Sequence, residues 1–183
     1  MSTIVYRILA ARAGEPCQGG NAAALSHYLS GVNDVRKGHY RPSFLRGWQM
    51  KHVYEVKVYY ADTDSYGVVW HGAYIKWFEQ GRVEFSNMVG IEFEELDKLN
   101  ISLPVVDMNV RYKSPARFND ILIVETELQE IKHTRILFNT TIKDKKTDVV
   151  FVNSTVTIVP VDQNGRLLRK IPDYLLEKYS KVL

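Results

Sequence analysis

The stretch from His71 to Met88 limits what this chain can fold into more than any other. At about 100° per residue, Tyr74, Trp77, Phe78, Gly81, Phe85, Met88 and Val89 fall on one face of a helix. Lys76, Glu79, Gln80, Ser86 and Asn87 fall on the other. A stripe this wide and this aromatic has to be buried against something broad. Gly81 stands in the middle of it, where it costs about 1 kcal/mol of helix propensity against alanine. That cost is sensible where a neighbouring backbone comes close, and a β-sheet is the expected neighbour. Gly90 ends the helix, and a short second one is predicted over Phe93–Lys98.

Before the helix, Tyr54, Val56, Val58 and Tyr60 alternate with Glu55 and Lys57, which predicts a half-buried strand running to Tyr60. After Leu103 the pattern is strand after strand, near 104–113, 120–131, 134–143 and 148–159. Turn signals separate them: Ser114-Pro115 with Asn119-Asp120, then Lys132-His133, then the polar run from Asp144 to Asp148. Links this short imply an antiparallel meander. In the last strand Val150, Val152, Ser154, Val156 and Ile158 share a face, and Asn164-Gly165 turns the chain towards a closing helix with Pro172 in its first turn. The order of strand, long helix and four strands predicts an α+β fold, a five-stranded antiparallel sheet wrapped around one long central helix.

The pattern that specifies this fold begins only near Met50, so residues 50–183 read as one domain and 1–49 as an extension. The first 50 residues carry six Arg or Lys against two acids, are rich in Gly, Ala and Ser, and show no sustained period of 2 or 3.6. A mis-started translation with Met50 as the true start is favoured over an organelle transit peptide or an ordered arm. A transit peptide would direct the protein to the plastid stroma; otherwise a cytoplasmic protein is expected. Charged residues are 25% of the chain and the net charge is only +3, which argues against a nucleic-acid partner. No apolar run approaches the ~18 residues of a membrane span, and Arg7 interrupts the early apolar stretch. Cys17 is the single cysteine, so no disulfide forms within the chain, and without CxxC or HExxH neither a metal nor a cofactor is expected.

Chemistry has few places to reside. There is no G-x-S-x-G elbow for a serine nucleophile. Carboxylates remain, and Asp62 and Asp64 lie in the loop just before the long helix, with Ser65 and Gly67. Gly67 permits positive φ and a close approach by a ligand, while His71 and Tyr74 are placed to orient groups near the helix start. Bland readings stand beside these. An aspartate before a helix is commonly a cap or an Asx turn. A histidine at a helix start is commonly structural and kept neutral. Glu79 and Arg82 read as an i,i+3 surface pair.

The run from Tyr60 to Tyr74, YADTDSYGVVWHGAY, followed by Trp77-Phe78-Glu79 and Arg82, resembles the signature of the hotdog-fold 4-hydroxybenzoyl-CoA thioesterase family. The DTD, the G-V-V and the following histidine are most similar to its Tol–Pal-associated acyl-CoA thioesterase branch. Tyr112 to Asp120 resembles that branch's second recurring stretch, and the likeness spans about residues 53–160.

The resemblance implies a hotdog fold that hydrolyses acyl thioesters of coenzyme A or of acyl carrier protein. It implies Asp64 as the catalytic carboxylate, nucleophile or general base, with Gly67 and His71 beside it. Tyr60, Val68, Trp70 and Tyr74 would line the substrate, and Lys113 and Arg117 rank first among the cations for its phosphates. It further implies a homodimer with the site between protomers, pairing again into a tetramer. Such a site is chemically coherent, because thioester hydrolysis builds charge on the carbonyl oxygen and a helix N-terminus offers unpaired N–H groups. Trp70 departs from the smaller ring usual at its position and would narrow the acyl channel. A non-catalytic acyl-CoA binding module on the same fold is the alternative.

Overall fold

A computed structural model describes residues 50–183; the readings made for residues 1–49, including Cys17, lie outside the described residues. The elements are β1 (Lys51–Lys57), α1 (His71–Met88), α2 (Phe93–Lys98), β2 (Val105–Tyr112), β3 (Ile121–Lys132), β4 (Arg135–Asp144), β5 (Val150–Ile158) and α3 (Asp173–Tyr179). The five strands form one sheet in the order β1-β3-β4-β5-β2, every neighbouring pair antiparallel. This is the expected α+β hotdog arrangement, with α1 packed along the sheet. Among the described residues no helix is long and apolar enough to cross a membrane.

The meander holds only for β3, β4 and β5. The link from β2 to β3 is not a hairpin: β2 pairs with β5 at the far edge, so residues 113–120 cross the end of the sheet. They can do so because the loop is anchored on the way. Ala116 is fully buried, Asn119 takes a φ of +70°, and Asn119 N–H and Val58 N–H exchange bonds with Val58 O and Asp120 O at 3.1 and 3.0 Å.

The first strand also ends earlier than its alternation suggests. β1 stops at Lys57, and Tyr60–Asp62 forms a 3-10 turn. Tyr60 is therefore 74% exposed, while Val58 is buried as expected.

The long helix buries Ala73, Tyr74, Trp77, Phe78, Gly81, Phe85 and Ser86. Its N-terminal half packs into a cluster with Val69, Ala116, Leu122, Val124 and Ile142; Phe85 joins a second one with Leu128, Phe138, Leu175 and Tyr179. Ser86 is a correction, since periodicity set it outside. The closing helix α3 covers it, and its hydroxyl donates to Arg82 O at 2.8 Å and pairs with the Tyr179 hydroxyl at 2.9 Å. Burial pushes the Tyr179 phenol up to about 12, against the lowering effects of its bond to Ser86 and of the Arg82 charge. The Glu79–Arg82 surface pair does not close either. Arg82 turns inward, with one terminal nitrogen buried and unpartnered, and burial lowers its pKa against the opposing Glu79 charge.

Gly81 faces the sheet as expected, but what crowds it is a side chain. A β-carbon there would overlap Thr126 Oγ1 and stand 3.3 Å from Thr126 Cβ. Thr126 cannot easily turn away, because its hydroxyl is bonded to that of Thr140 at 3.0 Å, and both residues are buried. Gly81→Ala is therefore expected to destabilise the fold by about 1 kcal/mol net, since overpacking of roughly 1–3 kcal/mol exceeds the gain in helix propensity. A lowered urea midpoint with unchanged slope would show it.

His52 lies opposite Thr126 on the inward side of β1, its Nδ1 buried and unpartnered. Burial holds its pKa below the usual 6.5, against the opposing charge of Glu84. The unfolded chain therefore takes up the proton first. The stability owed to this residue is complete above pH 6.5 and is lost as pH falls through the lowered folded-state pKa. Urea midpoints followed from about pH 8 to about pH 5 are expected to fall for the wild type and to fall less for His52→Phe.

Candidate active site

The segment before α1 is a miniature hairpin. Asp62 O accepts from Trp70 N–H at 3.0 Å, Thr63 bridges Val69, and Asp64 N–H donates to Val68 O at 2.9 Å. Asp64, Ser65, Tyr66 and Gly67 make the turn, closed by Gly67 N–H to Asp64 O at 3.0 Å. Gly67 has a φ of +71°, the left-handed geometry that a type I turn followed by a bulge demands. The positive φ is the one expected of Gly67 from the sequence.

Within the turn, Asp64 Oδ1 accepts from Tyr66 N–H at 2.8 Å and Val68 N–H at 3.4 Å. These are the bonds of an Asx turn, so the bland reading of Asp64 is realised in its geometry. Its other oxygen, Oδ2, takes no hydrogen bond among the described residues, and the side chain is exposed. A carboxylate held at one oxygen and free at the other is oriented and available. Asp62 differs. Its Oδ2 accepts from Tyr59 N–H at 2.9 Å and its carbonyl from Trp70 N–H at 3.0 Å, so it is a loop carboxylate that braces the hairpin.

The second sequence stretch closes on the first. Val69 N–H donates to Ala116 O at 2.8 Å, Val68 bridges Arg117, and the ring of Tyr60 stacks on Phe118 at 3.8 Å with 17° between planes. Two stretches about forty residues apart thus form one end of the molecule. Arg117 is fixed through its backbone, N–H to Asp120 Oδ2 at 2.8 Å, and its exposed guanidinium makes no ion pair among the described residues.

The remaining residues divide. His71 is exposed at the first position of α1, its ring edge-on to Trp70 at 5.4 Å. Val68 is half-buried in the hairpin. Tyr74 is a core residue, 2% exposed, its hydroxyl accepting from Ala116 N–H at 3.4 Å and its pKa raised by burial. It supports the crossing loop from beneath. Lys113 points elsewhere: its Nζ reaches the Asn153 amide oxygen at 3.3 Å in the orientation that satisfies that amide. Asn153 alternates with buried Val152 and Ser154, hence lies on the sheet face away from α1. Of the two cations, Arg117 is the one tied to the Asp64 hairpin. Among the described residues no three of His, Cys, Asp or Glu gather where they would hold a metal ion.

Two contributors escaped the sequence reading. Ala116 supplies the carbonyl that fixes Val69 and the N–H that meets Tyr74; an alanine in a Ser-Pro-Ala-Arg loop carries no local sign of burial. Gly72 supports the ring of Trp70, and its one visible signal was a glycine in the first turn of a helix.

Chemically, the end of α1 presents the N–H groups of the first helical residues, which have no acceptor within the helix. The same end of the molecule carries the exposed Asp64 carboxylate, the exposed His71 imidazole and the exposed Arg117 side chain. Groups of these kinds are chemically able to stabilise an oxyanion and to direct a nucleophile or water.

Comparison with known proteins agrees in extent and in kind. The profile of the thioesterase-like superfamily matches residues 58–179. A Synechocystis protein that carries a provisional esterase name is 34% identical over 128 residues, 69% of this chain and 77% of that protein. The acyl-CoA thioester hydrolase YbgC of Escherichia coli is 29% identical over 126 residues, 69% of this chain and 93% of YbgC. Among solved structures, the DHNA-CoA thioesterase of Staphylococcus aureus has a TM-score of 0.66 at 27% identity, covering 72% of this chain and 90% of that one. The chain belongs to the thioesterase-like superfamily.

Proposed function

We propose that this protein hydrolyses acyl-CoA thioesters, with Asp64 as the reacting carboxylate and the start of α1 as the oxyanion site. The observation that carries the reading is the Asp64 turn. One carboxylate oxygen is held by Tyr66 N–H, the other is free, and the hairpin leads directly into the unpaired N–H groups of α1. The thioester oxygen would rest on the N–H groups of His71 and Gly72 while Asp64 attacks the carbonyl carbon or activates water. On the direct route the thiolate leaves behind an Asp64–acyl anhydride, which water then cleaves to the free acid and the restored carboxylate, its proton going to the thiolate; on the water route Asp64 takes the proton of the attacking water and returns it to the leaving thiolate. Arg117 would meet a phosphate of the coenzyme. The names of the relatives, acyl-CoA thioester hydrolase and DHNA-CoA thioesterase, support a coenzyme A thioester as the substrate.

In our reading the working unit is a homodimer that pairs into a tetramer, which the edge strand β2 supports. Among the described residues its outer side pairs with no strand, and it exposes Val105, Val106 and Tyr112. The same pattern of DTD, G-V-V and His keeps the chain beside the Tol–Pal-associated branch, in the cytoplasm. Thiol release from a panel of acyl-CoA and acyl carrier protein thioesters tests the function. Multiple turnovers on coenzyme A esters are expected, and tight binding with no hydrolysis of any ester would make the protein a binding module instead. Sedimentation in the same buffer is expected to give four chains per particle.

A further inference from the structure

Trp70 stands just before α1 and is 43% exposed, yet its ring does not hang free. The six-membered ring fills the place that a β-carbon on Gly72 would take. Its backbone is fixed on both sides, N–H to Asp62 O at 3.0 Å and O from Ala73 N–H at 3.1 Å. The indole is therefore a fixed wall across the first turn of the helix.

Gly72 has no conformational reason to be glycine. It lies inside α1, with no positive φ, at a position where glycine weakens a helix. What requires it is the indole lying on its Cα, since any side chain there would lift the ring. The wall thus stands on the residue whose N–H, in the reading above, receives the thioester oxygen, and space beside the carbonyl carbon is what it limits.

We propose that Trp70 is a specificity-determining residue and Gly72 its positioning residue: the ring seated on Gly72 excludes bulk at the acyl α-carbon. This rests on the thioester-hydrolase reading. The enzyme then favours thioesters unbranched next to the carbonyl and rejects those with a branch there.

The test compares kcat/KM for butyryl-CoA and its isomer isobutyryl-CoA in wild type, Trp70→Ala, Trp70→Phe and Gly72→Ala, with thermal melting to certify folding. The wild type is expected to prefer the straight chain by about tenfold or more, the scale one methyl group commands in a tight pocket. Trp70→Ala should remove most of that preference by raising the rate on the branched ester, and Trp70→Phe should fall between. Gly72→Ala should move the ratio the same way although Trp70 is still present, and the double variant should do no more than Trp70→Ala alone. An unchanged ratio in the folded Trp70 variants overturns the proposal, as does a Gly72→Ala variant that loses both substrates equally. Failure of the wild type to cleave any acyl-CoA would instead overturn the hydrolase reading, and this assignment with it.

Discussion

Asp64→Asn is expected to lower kcat for acyl-CoA hydrolysis by about 10²–10⁴-fold, the range for removing a positioned carboxylate that moves a proton or attacks. KM should change by less than about threefold, since the amide keeps the shape and the acceptor oxygen of the turn. In the structure that acceptor, Oδ1, is bonded to Tyr66 N–H, and asparagine preserves this bond. The substitution thus separates the two roles of the residue. A merely structural Asp64 would survive it with activity intact and melting unchanged. A reacting Asp64 would not. Hydrolysis in ¹⁸O-water under single turnover then tests for direct attack: solvent oxygen found in the Asp64 carboxylate, with none in the first acid released, marks an anhydride opened by water at the aspartyl carbon.

Phe85→Ala carries the largest expected effect on stability. Phe85 is fully buried on α1, edge-on to Phe138 of β4 at 5.7 Å and 78°, and Phe138 in turn meets Tyr179 of α3 at 5.8 Å. Phe138 therefore joins the sheet to both helices, and Phe85 supplies the α1 side of that cluster. Truncation should cost about 3–5 kcal/mol, from lost apolar burial and the cavity left behind. The midpoint of melting should fall by roughly 10–20 °C. Ile75→Ala, on the exposed side of the same helix, should move it by little. Equal shifts for the two would mean that α1 does not bury the face described.

The fold was legible wherever one period ran long enough to be unambiguous. The central helix begins and ends at the expected residues because its stripe is wide and Gly90 stops it at a φ of +82°. Tyr60 was misplaced because alternation carries no signal for the point at which a strand gives way to a turn; Asp62, capping Tyr59, decides that. Ser86 was misplaced because its burial comes from α3, some ninety residues later, which helical periodicity does not register. The link from β2 to β3 was misread for a related reason. Proline, asparagine and aspartate mark a turn but not which strand the chain joins next.

The candidate site shows the same division. The turn from Asp64 to Gly67 was legible because turn geometry is local, four residues closed by one hydrogen bond. Tyr74 sits in the helical stripe, and the structure gives it to the core, touching the site only through Ala116. The seat of Trp70 on Gly72 was not legible, because it is a side chain folding forward across a helix start, where neither the strand period nor the helix period applies.

Everything proposed for this chain turns on whether it hydrolyses acyl-CoA at Asp64. The most direct measurement is thiol release from butyryl-CoA by wild type and Asp64→Ala side by side, with ligand affinity taken from calorimetry on the same preparations. The account predicts many turnovers by the wild type and none above background by the variant, at closely similar affinity. Equal rates of thiol release from the two proteins would contradict it.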